Sequence, residues 1–222
     1  MMLDVWQHLH SDLTAGVQPD QETWAVDLGG QQILLPIRRL PEAGRAVCSL
    51  ILNQASFQVL DALADIVAAK LQPYAPEVIV AVPTLGLPLA EAVARRLGHS
   101  RLVPLGYSRK FWYDDRLSLP LSSITTPGGG KRIYIDPRML PLLKDRRVAV
   151  VDDVLSSGTS ICAVQELMAL AGATPVAVGA AMLQGDRWRG RIETPILSAF
   201  QTPILTAGPA GWTPLPADGS PA

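Results

Sequence analysis

Only two of the 222 residues are cysteine and three are histidine, and no Lys or Arg precedes Arg38. Cys48 and Cys162 sit on apolar stretches outside any CxxC or CxxH spacing, so they are expected as buried, reduced thiols. His8, His10 and His99 make no HExxH-type metal site. The formal charge is only −1, which argues against an overall affinity for nucleic acid or acidic membranes. No uncharged run can serve as a membrane span. Leu167–Gly185 is interrupted by Gly172-Ala173-Thr174-Pro175, and Thr194–Ala217 holds five prolines. The N-terminus carries acids and histidines where a targeting peptide needs a basic region, so a cytoplasmic protein is expected. Internal repeats, a GxSxG nucleophile elbow and a helix-opening GxGxxG are all missing. Gly130-Lys131 fails as a Walker A motif, because Thr125 holds the first glycine's place and Arg132 that of the Ser/Thr.

What is present is a globular composition, 48% hydrophobic, long enough to bury a core without staples. Residues 1–37 hold five acids, whereas residues 95–147 hold twelve of the nineteen basic residues against four acids. Such a concentration suits a small polyanion, or a solvated surface and loop. Asp4–Leu13 reads as a short helix. Thr23–Leu28 and Gln32–Ile37 flank Gly29-Gly30 as a hairpin. Gln54–Leu71 places Phe57, Leu60, Leu63, Ala64, Val67 and Leu71 on one helical face. Val78–Val82, Val148–Val151 and Val176–Ala181 are apolar runs typical of strands buried on both faces. A short strand is read at Leu102-Val103, and helices at Leu87–Leu97 and Ser160–Leu170. This alternation predicts an α/β fold with a central, mostly parallel sheet flanked by helices, plus a small N-terminal hairpin or hood. The boundaries predicted are an N-terminal helix and hairpin at 1–47, a core at 48–193, and a Pro/Gly-rich segment and tail at 194–222. Ligands in such sheets bind beyond the carboxyl ends of the strands.

One such end carries Val148-Ala149-Val150-Val151-Asp152-Asp153-Val154-Leu155-Ser156-Ser157-Gly158-Thr159-Ser160. The turn suits a phosphate: amides converge at a helix N-terminus, Gly158 permits close approach, and Ser156, Ser157, Thr159 and Ser160 add hydroxyls. The paired acids suit the vicinal hydroxyls of a sugar. A helix N-cap with incidental acids, or a metal-binding acid pair, would use the same residues. The whole pattern resembles the phosphoribosyl-pyrophosphate signature of the type I phosphoribosyltransferase family, adenine, xanthine and orotate enzymes among them. Val78–Leu97 is similar to that family's first strand, pyrophosphate loop and helix, with Thr84, Leu85 and Gly86 at the loop. Tyr107-Ser108-Arg109-Lys110 resembles the start of its mobile catalytic loop. The resemblance covers about residues 50–185.

It implies a Mg²⁺-dependent pentosyltransferase, a homodimer, acting on phosphoribosyl pyrophosphate and a nucleobase. Asp152 and Asp153 would hold the ribose, and possible contact with Mg²⁺ falls to the same pair. Ser156–Ser160 would fix the 5′-phosphate, and Arg109 and Lys110 would close on the leaving group. Asn53, Gln54, Trp112 and Trp188 are the base-binding candidates. Asn53 could instead cap a helix, Trp112 pack its loop with Phe111 and Tyr113, and Trp188 anchor an edge. Ser156 stands where hypoxanthine–guanine enzymes carry a further Asp, which argues against that subclass. The Arg109-Lys110 loop looks closest to adenine and xanthine enzymes, although Thr84 stands where adenine enzymes usually carry Arg; a purine, adenine first, is expected. A non-catalytic sensor of phosphoribosyl pyrophosphate is the alternative; a sugar-phosphate hydrolase lacks a visible nucleophile.

Overall fold

The computed structural model describes residues 4–121 and 131–215; Gly128–Gly130 and the tail from residue 216 lie outside them. The first strands are β1 (Gly16–Val17), β2 (Thr23–Asp27), β3 (Gln32–Arg39) and β4 (Arg45–Cys48). Then come α1 (Phe57–Leu71), β5 (Val78–Ala81), α2 (Gly86–Arg96), β6 (Val103–Pro104), β7 (Ser118–Leu121) and β8 (Lys131–Tyr134). The chain continues through α3 (Leu140–Leu143), β9 (Val148–Leu155), α4 (Thr159–Leu170), β10 (Pro175–Gln184), β11 (Ile196–Thr202), β12 (Ile204–Gly208) and β13 (Gly211–Pro214). Among the described residues no helix is long and apolar enough to cross a membrane.

The core is a five-stranded, all-parallel sheet in the order β11-β10-β9-β5-β6. Alternation along the strands explains its two coats. Ile79, Ala81, Ala149, Val151, Ala177 and Ala181 face one way, into a cluster with α1 and α2. Val80, Val82, Val148, Val150, Val178 and Ala180 face the other, against Ile161, Val164, Leu167 and Met168 of α4. Gly179 lets α1 press on the sheet: a Cβ there would stand 3.0 Å from Leu71 Cδ1 and from Val67 Cγ1. Helix α1 starts at Ser56, whose hydroxyl accepts from Val59 N–H at 3.2 Å. Ser56, not Asn53, is therefore the cap. Phe57 was expected on the buried face; it is 84% exposed, because the buried face of α1 is carried by Val59, Leu63, Ala64, Val67, Ala68 and Leu71.

A second, antiparallel sheet runs β1-β2-β3-β4-β12-β13. Gly29 and Gly30 turn the β2–β3 hairpin with φ of +90° and +108°, and their N–H groups donate to Asp27 Oδ1. Two sequence expectations are corrected here. Asp4–Leu13 is not a helix: Trp6 has φ +64°, and its N–H and that of His10 donate to the carbonyls of Leu34 and Gln32 on β3. Residues 194–215 are more than a Pro/Gly-rich segment. They extend the parallel sheet by β11 and, after Pro203, pair β12 with β4. The long segment 106–137 contains the β7–β8 hairpin, and β9 runs on to Leu155, so the acid pair lies within the strand.

Candidate active site at the carboxyl ends of β5 and β9

Strand order reverses between β5 and β9. From β5 the chain crosses by α2 to β6 on one side, and from β9 it crosses by α4 to β10 on the other. Loops leaving these two neighbours therefore diverge and open a crevice, the usual ligand site of open α/β sheets. Both loops singled out in the sequence leave these strands.

Asp152 is buried at the crevice floor, and Asp153 beside it is half-buried. The Asp153 N–H donates to Asp152 Oδ1 at 2.8 Å. Burial holds both carboxyls above their ordinary range, Asp152 well above it and further raised by the Asp153 charge. Gly86 makes the close approach of α2 possible: a Cβ there would lie 2.9 Å from both the Cα and Oδ1 of Asp152. The peptide bond Pro83–Thr84 just before it is cis.

Gly158, at φ +79°, turns the chain into α4. A Cβ on it would press on Ile192 Cδ1 at 3.1 Å and Trp188 Cβ at 3.4 Å. The hydroxyls of Ser157 and Thr159 lie 3.0 Å apart. Two adjoining hollows result. One, about 120 Å³, is lined by Asp152 and the loop through Ser156, Ser157, Gly158, Thr159 and Ser160. The other, about 300 Å³, is walled by Thr84, Leu85, Tyr107, Lys131, Asp152, Asp153 and Ser160. Asp152, Val154 and Ser160 are common to both. The structure thus brings the acid pair, the hydroxyl loop and the Pro83–Gly86 loop into one place.

Other sequence candidates stand outside these walls. Arg109 is half exposed and paired with Asp115 at 2.6 Å, and Lys110 beside it is exposed. Trp112 is 43% exposed. Its Nε1–H donates to Asp136 at 3.4 Å, the Arg138 guanidinium lies 5.0 Å over its ring, and Phe111 and Tyr113 meet it edge-on. Arg138 also holds the Asp136 carboxyl down to about 2. Trp188 donates to the Gly185 carbonyl at 3.0 Å, with Arg189 4.6 Å over its ring. Asn53 and Gln54 are exposed in a short 3-10 turn before α1, and Gln184 donates to the Cys48 carbonyl at 2.8 Å.

Sequence reasoning passed over several groups. Lys131 drew notice only as part of a failed Walker motif. Tyr107 was read as a neighbour of Arg109; its hydroxyl donates to the Pro83 carbonyl at 2.6 Å. Arg191 was passed over as well; its guanidinium donates to the Ser157 carbonyl at 3.3 Å, while Arg187, read from the sequence with Gln184, Asp186 and Trp188 as following the third strand, donates to Ser156 Oγ at 3.4 Å. A signal for Arg191 existed: it too follows closely on the carboxyl end of β10, where ligands of such sheets bind.

A parallel sheet with a paired-acid strand, a hydroxyl-rich helix N-terminus and a facing loop at its switch point makes this an open α/β protein with its crevice where such folds bind ligands. Residues 49–196 match the phosphoribosyl transferase domain, and the chain belongs to that family. It is 32% identical to the xanthine phosphoribosyltransferase of Chloroflexus aurantiacus over 67% of this chain and 66% of that one. It is 33% identical to the orotate phosphoribosyltransferase of Halorhodospira halophila over 54% of this chain and 52% of that one. These matches thus span between about half and two thirds of the relatives' own length. Among solved structures, the adenine phosphoribosyltransferase of Thermoanaerobacter pseudethanolicus shares the fold, with a TM-score of 0.59 and 21% identity. That match covers 75% of this chain and 95% of that one.

Proposed function

We propose that the protein transfers 5-phosphoribose from phosphoribosyl pyrophosphate to a ring nitrogen of a nucleobase, releasing pyrophosphate. The observation that carries this reading is the single crevice shared by Asp152, Asp153, the Ser156–Ser160 loop and the Pro83–Gly86 loop. Phosphate on the loop and ribose hydroxyls on the acids leave carbon 1 and its pyrophosphate facing Thr84, Leu85 and Gly86. Bond cleavage leaves positive charge on the ribose ring, which the adjacent carboxylates stabilise, so catalysis is positioning plus electrostatics with no covalent nucleophile. Arg109 and Lys110 act on the leaving group after exchanging the Asp115 contact for the pyrophosphate.

Among the described residues no cluster of three or more His, Cys, Asp and Glu could hold a metal. A pair of carboxylates beside substrate oxygens fits Mg²⁺, which is commonly held by one or two carboxylates and substrate phosphates. Asp152 and Asp153 would hold the ion, which would supply charge neutralisation at the pyrophosphate. The near-neutral charge and the N-terminal composition extend the reading to a cytoplasmic protein without nucleic-acid or membrane partners, and the resemblance to a homodimer; sizing by light scattering checks the dimer.

For the base, adenine comes first. The support is Ser156 in place of the acid that hypoxanthine–guanine enzymes carry, and the Arg109-Lys110 pair. The test is pyrophosphate release from phosphoribosyl pyrophosphate and Mg²⁺ with adenine, xanthine, hypoxanthine, guanine and orotate in turn. Turnover with adenine and little with hypoxanthine or orotate is expected; orotate as best substrate would remove the purine assignment. A non-catalytic sensor is the second reading, favoured by the Arg109–Asp115 pair outside the crevice. Tight binding of phosphoribosyl pyrophosphate with no pyrophosphate release from any base would select it.

A further inference from the structure

The larger hollow has an electrostatic problem. Two carboxylates already face it, and a pyrophosphate entering it adds several negative charges in a partly buried space. Arg109 is engaged by Asp115 outside the wall, and Arg187 and Arg191 reach the hydroxyl loop. Among the described residues, the one cation in the wall of this hollow is Lys131, at the start of β8.

Its position is defined by contacts. The Lys131 ammonium lies 5.2 Å from the centroid of the Tyr107 ring. A cation so placed is attracted to the ring face, which limits the freedom of a long side chain. Tyr107 in turn is fastened to the loop beneath, its hydroxyl donating to the Pro83 carbonyl at 2.6 Å. Burial, and then the charges of Asp152 and Asp153, raise the Tyr107 pKa, so the phenol remains a donor at neutral pH. An ammonium, a ring and a loop carbonyl thus form a chain that ends at the Pro83–Gly86 turn.

We infer that Lys131, seated on Tyr107, is the fixed pyrophosphate-binding cation of this site, holding the leaving group independently of Arg109 and Lys110. Lys131 touches the substrate; Tyr107 is a positioning residue that acts through it and through Pro83. This inference rests on the phosphoribosyltransferase reading and names one more group in its binding site.

The test compares three ligands by calorimetry in the presence of Mg²⁺: phosphoribosyl pyrophosphate, inorganic pyrophosphate and ribose 5-phosphate. The last shares the phosphate and the sugar but lacks the leaving group. Lys131→Met is expected to weaken the first two by about tenfold or more, the loss of one charge-assisted contact, and to leave ribose 5-phosphate within about twofold. Lys131→Arg is expected to restore most of the affinity. Tyr107→Phe keeps the ring but loses the Pro83 bond and should weaken pyrophosphate binding less than Tyr107→Leu, which loses both and should weaken it by about two- to fivefold. Unchanged pyrophosphate affinity in Lys131→Met, or an equal loss of ribose 5-phosphate, overturns the inference. Wild-type protein that binds none of the three overturns the phosphoribosyltransferase reading beneath it as well.

Discussion

At the scale of single residues, Asp152 shows most plainly what a binding site costs the fold that carries it. Its carboxyl is buried against another carboxyl, and both titrate above the ordinary range. For a carboxyl whose folded pKa is raised, the favourable contribution is complete below the unfolded pKa, near 4. It is lost as pH rises through the folded value. Asp152→Asn removes this penalty while its amide oxygen can still accept from the Asp153 N–H. The variant is expected to melt higher than wild type at pH 8, with the gap closing as pH falls to about 4. Thermal melts across that range check it, and a variant less stable than wild type at pH 8 contradicts it.

The two cysteines make a second residue-scale case. Both are free thiols. Cys48 is fully buried, and burial pushes its thiol up to about 12. Cys162 is half-buried on α4, its Sγ 3.7 Å from the Arg191 carbonyl. An aromatic disulfide reagent at pH 8 is therefore expected to titrate one thiol per native chain, and two only in denaturant. Rapid reaction of both in the native protein would contradict the burial of Cys48.

At the scale of elements, what the sequence disclosed depends on how each strand is buried. Residues 78–81, 148–151 and 176–181 were legible because strands covered on both faces read as unbroken apolar runs. β11 was not, because it is the sheet's edge: its sequence ILSAFQT mixes polar and apolar residues, and only Phe200 and Thr202 are buried. β12 and β13 are short, and the prolines and glycines around them read as loop. The segment Asp4–Leu13 looked helical but is not, since Val5 and Trp6 are buried as the segment docks on β3. The same contrast holds at the site. Asp152–Ser160 was legible because one continuous segment carries it, whereas Lys131 and Arg191 reach the crevice only through tertiary folding.

β11 and β12 join the two sheets, so removal of the C-terminal strands tests that connection. Deleting residues 196–222 strips β10 and β4 of one neighbour each, and withdraws Phe200 and Leu205 from the core. Each such side chain contributes roughly 1.5–3 kcal/mol. Two of them, before any ladder is counted, are a large share of the roughly 5–15 kcal/mol that keeps a domain folded. The truncated chain is expected to lose cooperative unfolding in urea. A truncated protein with the wild-type midpoint would contradict the structural role given to β11 and β12.

At the scale of the whole molecule, the topology explains why the chemistry gathers where it does. Reversal of strand order between β5 and β9 opens the crevice. The acid pair lies within β9, and the two loops leave β5 and β9. The N-terminal sheet is tied alongside by β12 and by the Gln184–Cys48 hydrogen bond. The central claim is that the acid pair and the hydroxyl loop hold one sugar phosphate between them. Calorimetric binding of phosphoribosyl pyrophosphate with Mg²⁺ to wild type and Asp153→Asn tests it most directly. Loss of a charge-assisted hydrogen bond, about 1.5–3 kcal/mol, should weaken the variant by roughly ten- to a hundredfold while its far-ultraviolet spectrum stays that of wild type. Equal affinity in the two proteins would contradict the claim.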